Sequence, residues 1–188
     1  MSARSRLITA TVGQLRRFGV AGTSVSGILE DSGLARRTLY LNFPAGKPEL
    51  VAAATQVASE EMAAAFEQAL CSESDPVRLV EIFIEHAAKA LEANDFAAGC
   101  PIAAAALGRD EAPAAADAAG ASFTGWVSAL TRIAKESGLS DAEAAEELAS
   151  TIVATVEGAL IMSMAQRSAE PLRRSGRCLT ELVRAKLG

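Results

Sequence analysis

The sequence predicts an all-α protein of about nine helices. Half of its 188 residues are hydrophobic, yet only 4% are aromatic. Alanine supplies much of that apolar share and is the strongest helix former, while the β-branched and aromatic residues that strands favour are sparse. No segment alternates apolar and polar with period two; apolar residues recur three and four apart. The length suits one sizeable core, or a small module fused to a larger one.

Glycine and proline punctuate the helices. The first runs from about Ala3 to Phe18, with Leu7, Ala10, Thr11 and Leu15 on one face, and Gly19 and Gly22 mark its end. Thr23 or Ser24 caps a short second helix through a hydroxyl that accepts from an unpaired backbone N–H. That helix carries Val25, Ile28 and Leu29 and stops at Gly33. A third spans about Ala35 to Asn42, burying Leu39 and Phe43, and closes at Pro44 and Gly46. A long fourth starts at Lys47 or Pro48 and reaches about Leu70, proline being tolerated in a first turn. Five more follow: about Pro76 to Ala93, a short one after Pro101, Pro113 to Ser137, one capped by Ser140 or Asp141 that reaches about Ser168, and Pro171 to Leu187.

The net charge of -5 is unevenly spread. Residues 1–47 hold seven basic residues (Arg4, Arg6, Arg16, Arg17, Arg36, Arg37, Lys47) against Glu30 and Asp31, a net of +5, and the remainder carries 11 bases against 21 acids, a net of -10. A basic head on an acidic body points to an anionic partner for the head alone. Cys71, Cys100 and Cys178 are odd in number and form no CxxC pair, which argues against a disulfide frame. No uninterrupted apolar run reaches the ~18 residues of a membrane span, and the N-terminus lacks the apolar stretch of a signal peptide. The expected location is therefore cytoplasmic, without a membrane partner. His86 is the only histidine. With no ligating neighbours it makes no metal site, and no cofactor is expected. Nucleophile elbow, HExxH, P-loop and dinucleotide fingerprints are all absent, so an enzyme is not the expected reading.

The segment Thr23 to Leu50, TSVSGILEDSGLARRTLYLNFPAGKPEL, carries the strongest signal. Two short helices joined through a glycine turn, with apolar Val25, Ile28, Leu34 and Leu39, make a helix-turn-helix. Its second helix presents residues to base edges in the major groove. Arginine there can fork onto guanine O6 and N7. Expected DNA contacts are Thr23, Ser24, Arg36, Arg37, Thr38, Tyr40 and Asn42, with Lys47 favouring a phosphate at the start of the fourth helix.

In this segment the chain resembles the TetR family of bacterial regulators. Gly33 to Phe43 is similar to the family's recognition helix with its Thr-Leu-Tyr-x-x-Phe ending; Lys47 and Leu50 resemble the opening of its fourth helix, and Arg4, Arg6, Leu7, Ala10 and Gly19 fit its first. Ile28-Leu29-Glu30, Phe43-Pro44-Ala45-Gly46-Lys47 and Gly99-Cys100-Pro101-Ile102-Ala103 resemble the LmrA and YxaF branch. Gln14, Ala35, Arg37 and Leu41 depart from the family's usual residues and alter the reading surface.

The resemblance implies a DNA-binding domain at residues 1–46 and an effector-binding and dimerisation domain at 47–188. It implies a homodimeric repressor on a pseudo-palindromic operator, released by a small molecule. Expected ligand contacts are Phe66, Phe83, His86, Phe96, Cys100, Phe123, Trp126 and Met162, a mostly apolar set with a few polar groups. The last two helices are expected to form the dimer interface through Ile152, Thr155, Val156, Gly158, Ala159, Met162, Met164, Leu179, Leu182, Val183 and Leu187, as a four-helix bundle. The alternatives are an activator with the same head and a ligand-binding helical protein that does not touch DNA.

Overall fold

The computed structural model describes residues 1–188 as nine α-helices. They are α1 (Ala3–Gly22), α2 (Val25–Ser32), α3 (Arg36–Asn42), α4 (Lys47–Ser72), α5 (Pro76–Ala93), α6 (Pro101–Ala106), α7 (Pro113–Glu136), α8 (Ala142–Gln166) and α9 (Glu170–Leu187). The all-α expectation holds, and most boundaries fall within a residue or two of those read from glycine and proline. α1 is the exception. Gly19 leaves the helical region with φ 67°, as expected of the break, but the chain re-enters the helix and stops at Gly22.

Residues 1–62 and 100–122 form one compact unit; residues 63–99 and 123–188 form another. α4 and α7 contribute residues to both. This packing division is cut differently from a functional boundary at residue 46, because the first turns of α4 and all of α6 belong with the N-terminal helices.

In the first unit α1 is the hub and touches α2, α3 and α6. Leu7, Leu15, Ile28, Leu39, Phe43, Leu50, Val51 and Ile102 are buried there. Truncating one such side chain to alanine costs about 2–5 kcal/mol. Gly108 explains how the end of α6 approaches α1: a Cβ at that position would lie 2.3 Å from Val20 Cγ2. Gln14, an unexpected polar residue on the inner face of α1, is buried and donates from Nε2 to Asp31 Oδ2 at 2.6 Å. It ties α1 to α2, and the hydrogen bond offsets the cost of burying an amide.

In the second unit α9 packs against α5 and α8. Ile84, Ala88 and Leu91 of α5 meet Val156 and Ala159 of α8 and Leu172 and Leu179 of α9. A second cluster joins Ala134, Ala145, Leu148 and Val183. This corrects part of the expected dimer face. Val156, Ala159, Leu179 and Val183 are inside the protomer, because they lie on the sides of α8 and α9 that face neighbouring helices of the same chain. Arg173 adds a polar clamp, its Nε 3.2 Å from Glu85 Oε2 and its Nη1 2.7 Å from Glu92 Oε1.

α8 also revises the hydropathy reading. It is long and apolar enough, by length and composition, to cross a membrane. Between Leu148 and Ala165 only Glu157 is charged, so small and hydroxylated residues dilute the run without making it polar. A single helix of this kind is weak evidence for a span, and the inner side of α8 packs on α9.

Candidate nucleic-acid interface

Local chemistry builds the helix-turn-helix. The Ser24 hydroxyl accepts from Gly27 N at 3.0 Å and so starts α2. Gly33 ends it with φ 63°, a left-handed conformation that costs a residue with a Cβ roughly 1–2 kcal/mol. Its N–H and that of Leu34 return to the carbonyls of Glu30 and Leu29. Arg6 closes the corner from α1 by donating to the Ser32 carbonyl. α3 then begins at Ala35, which has no side chain to cap it, as the sequence suggested.

Two fully buried residues, Leu39 and Phe43, fix the roll of α3. Arg4 lies over the outer side of Phe43, its guanidinium carbon 4.9 Å from the ring centroid. With that stripe inward, the opposite stripe must face solvent. Arg36, Arg37, Tyr40 and Leu41 are exposed, and Thr38 and Asn42 are half-buried on the flank. The side chain of neither Arg36 nor Arg37 makes a hydrogen bond or ion pair within the chain. Two free guanidinium forks thus stand one and two residues into a helix that contains no acid. Asn42 Nδ2 donates to the Thr38 carbonyl at 2.8 Å. The Tyr40 ring rests beside Gly46, whose φ is 73°.

Two of the sequence-named contacts are placed differently from the rest. Thr23 is 1% exposed, and its hydroxyl donates to the Gly19 carbonyl at 2.6 Å. It caps the end of α1 and is turned away from solvent, the cap of α2 having gone to Ser24. Lys47 stands at the first turn of α4, but its Nζ lies 3.0 Å from Glu111 Oε2. A phosphate at this position would take the place of that carboxylate. Glu111 carried no sequence signal, since 64 residues separate the pair.

The residues named for a ligand do not converge. Phe83, His86 and Met162 are exposed. Phe96 packs against the cluster formed by α5, α8 and α9. Cys100 caps the short α6, its Sγ accepting from Ala103 N at 3.5 Å. Phe66 is half-buried on α4. Phe123 and Trp126 are brought together, both on α7 and half-buried, edge to face with centroids 5.2 Å apart.

A further surface emerges on α8. Thr151, Ala154, Gly158, Ile161, Met162 and Ala165 recur at helical spacing, and all are exposed. Ile161 is 56% and Met162 52% exposed. Gly158 is not needed for packing within the chain, because a Cβ there would meet nothing within 4 Å. Of the expected interface residues, Gly158 and Met162 lie on this stripe. The rest of it lies one residue around the helix from the stripe that the sequence suggested.

Comparison with known proteins agrees with this geometry. Residues 76–178 match the family model for the C-terminal domain of LmrA/YxaF-like transcriptional regulators. An uncharacterised helix-turn-helix-type regulator of Mycobacterium tuberculosis is 31% identical over 98% of this chain and 95% of its own length. The regulator LmrA of Bacillus subtilis is 23% identical, with 97% of both chains covered. Among solved structures, a TetR regulatory protein from Rhodobacter sphaeroides superposes with a TM-score of 0.86 at 19% identity, covering 95% of this chain and 97% of that one. The family model over more than half of the chain and the 31%-identical relative place this helix-turn-helix protein in the TetR family of transcriptional regulators, in its LmrA/YxaF-like branch.

Proposed function

We propose that the protein is a ligand-responsive repressor in the cytoplasm that binds a pseudo-palindromic operator as a homodimer and leaves it when a small molecule binds the C-terminal part. The observation that carries DNA binding is the outward stripe of α3, with Arg36 and Arg37 exposed and unpaired. Base-edge contacts are assigned to these two arginines and to Thr38, Tyr40 and Asn42. Ser24 and Lys47 hold phosphates. Backbone contacts fix register and base contacts carry sequence.

Dimerisation is assigned to the uncovered stripe of α8. Only 28% of the apolar window in that helix is buried within the chain, which leaves apolar surface for a second copy to cover. Two recognition helices related by a two-fold axis would meet successive major grooves about 34–36 Å apart. An effector that prefers a conformer with wrongly spaced reading helices would weaken DNA binding by its differential affinity, ordinarily ~1–3 kcal/mol. We assign its contacts to the Phe123–Trp126 pair, and the functional division to residue 46, where the reading module ends.

The test is a titration of purified full-length protein against its own upstream duplex, repeated with a panel of aromatic and drug-like compounds. Salt-dependent binding that one compound reverses supports the proposal. Binding that no saturating ligand alters would leave a DNA-binding protein without induction.

A further inference from the structure

α3 shows one feature that neither the family match nor the charge pattern accounts for. Leu41 is 71% exposed at the centre of its outward face. The fold does not need it, since Leu39 and Phe43 already anchor the helix in full burial. It stands four residues after Arg37, on the same stripe and one helical turn further on. Arg37 and Tyr40 are its exposed neighbours on the helix, which carries no acidic residue. An apolar side chain one turn from an unpaired guanidinium, on a helix without acids, is suited to a polyanion that offers an apolar group within reach. Duplex DNA offers one in the major groove, the C5-methyl of thymine.

We propose that Leu41 reads a thymine methyl in each half-site. This rests on the DNA-binding reading above and adds a base identity to it. Four residues advance ~6 Å along the helix, against ~3.4 Å per base pair. The thymine therefore lies within about two base pairs of the base that Arg37 contacts.

The experiment first selects a preferred duplex from a random pool with the full-length wild-type protein. Each thymine in one half-site is then replaced by deoxyuridine, which removes the methyl and nothing else. Affinities are measured by fluorescence anisotropy for the wild type, Leu41→Ala and Thr38→Ser. At one thymine the wild type loses about fourfold, the ratio for burying one methyl-sized group. Leu41→Ala binds the thymine and uracil duplexes equally, with its thermal unfolding unchanged because the residue is exposed. Thr38→Ser, which deletes the other methyl near the groove, keeps the wild-type uracil penalty.

A Leu41→Ala protein that retains the penalty overturns the assignment and leaves DNA binding intact. So does a wild type indifferent to every uracil, or a penalty lost in Thr38→Ser instead. Failure to select any duplex overturns the assignment and the DNA-binding reading together.

Discussion

Two helices of this protein leave a face uncovered, and they do so with opposite chemistry. On α3, Arg36, Arg37, Tyr40 and Leu41 are exposed; on α8 the uncovered stripe carries Thr151, Ala154, Gly158, Ile161, Met162 and Ala165. Guanidinium cations that find no partner in their own chain suit a polyanion. A small, uncharged surface suits close approach of another helix. The same physical situation, an unburied helix face, thus points to two different partners according to whether desolvating that face is costly or favourable.

The sharpest way to break this contrast is to remove the charge from α3. The variant carrying both Arg36→Ala and Arg37→Ala should lose about a hundredfold or more in affinity for the preferred duplex, measured by gel shift, while its circular dichroism stays that of the wild type. Retained affinity would move the interface elsewhere. The reverse operation puts charge on α8. Ile161→Glu should shift sedimentation from dimer to monomer, weakening association roughly 10- to 1000-fold through a desolvated carboxylate with no partner. A still-dimeric variant would take the two-fold face off α8.

Smaller effects sharpen the first half of the comparison. Lys47→Ala should weaken all duplexes alike and lower the slope of log affinity against log salt by about one per lysine. Glu111→Gln frees Lys47 from its ion pair. It should tighten DNA binding by no more than the ~0.2–1 kcal/mol of an exposed pair. A change of sequence preference in either variant would contradict the placement of Lys47 at a phosphate.

The smallest effect concerns the clamp of the second unit. Hydrogen bonding from Arg173 holds the Glu85 carboxyl below its usual 4.5, and Arg177 does the same for Glu170. Both folded values are lowered, so their stabilisation is present above the ordinary carboxylate range and fades as pH falls through the depressed values. The difference in Tm between wild type and Arg173→Gln should therefore shrink on acidification below pH 4.5 and stay constant above it.

Much of this was legible in the sequence because it rests on local rules. Helix ends follow Gly33, Pro76, Pro101, Pro113 and Asp141, each acting on its own turn. The exposed residues of α3 follow from the spacing of Leu39 and Phe43, since two anchors fix the roll of a seven-residue helix. Part of what was not legible depends on partners far along the chain. Gln14 looked misplaced until Asp31 was seen to receive its amide. Lys47 looked free, and Glu111 is its counter-ion. Thr23 looked as suitable a cap as Ser24, but its hydroxyl turns back to Gly19. On α8, apolar residues surround most of the helix, so periodicity alone did not separate Val156 and Ala159, which face the core, from Ile161, which does not. The ligand candidates scattered for a related reason: in an alanine-rich chain the few large side chains stand out in the sequence whether they line a cavity, fill a core or face water.

The central claim, that two copies of α3 read DNA about a two-fold axis, is tested most directly by hydroxyl-radical footprinting of the full-length protein on its own upstream DNA. Two symmetric protected tracts should appear, centred about one helical turn apart, and both should vanish in the variant lacking Arg36 and Arg37. A single unpaired tract, or protection that persists without those arginines, would contradict it.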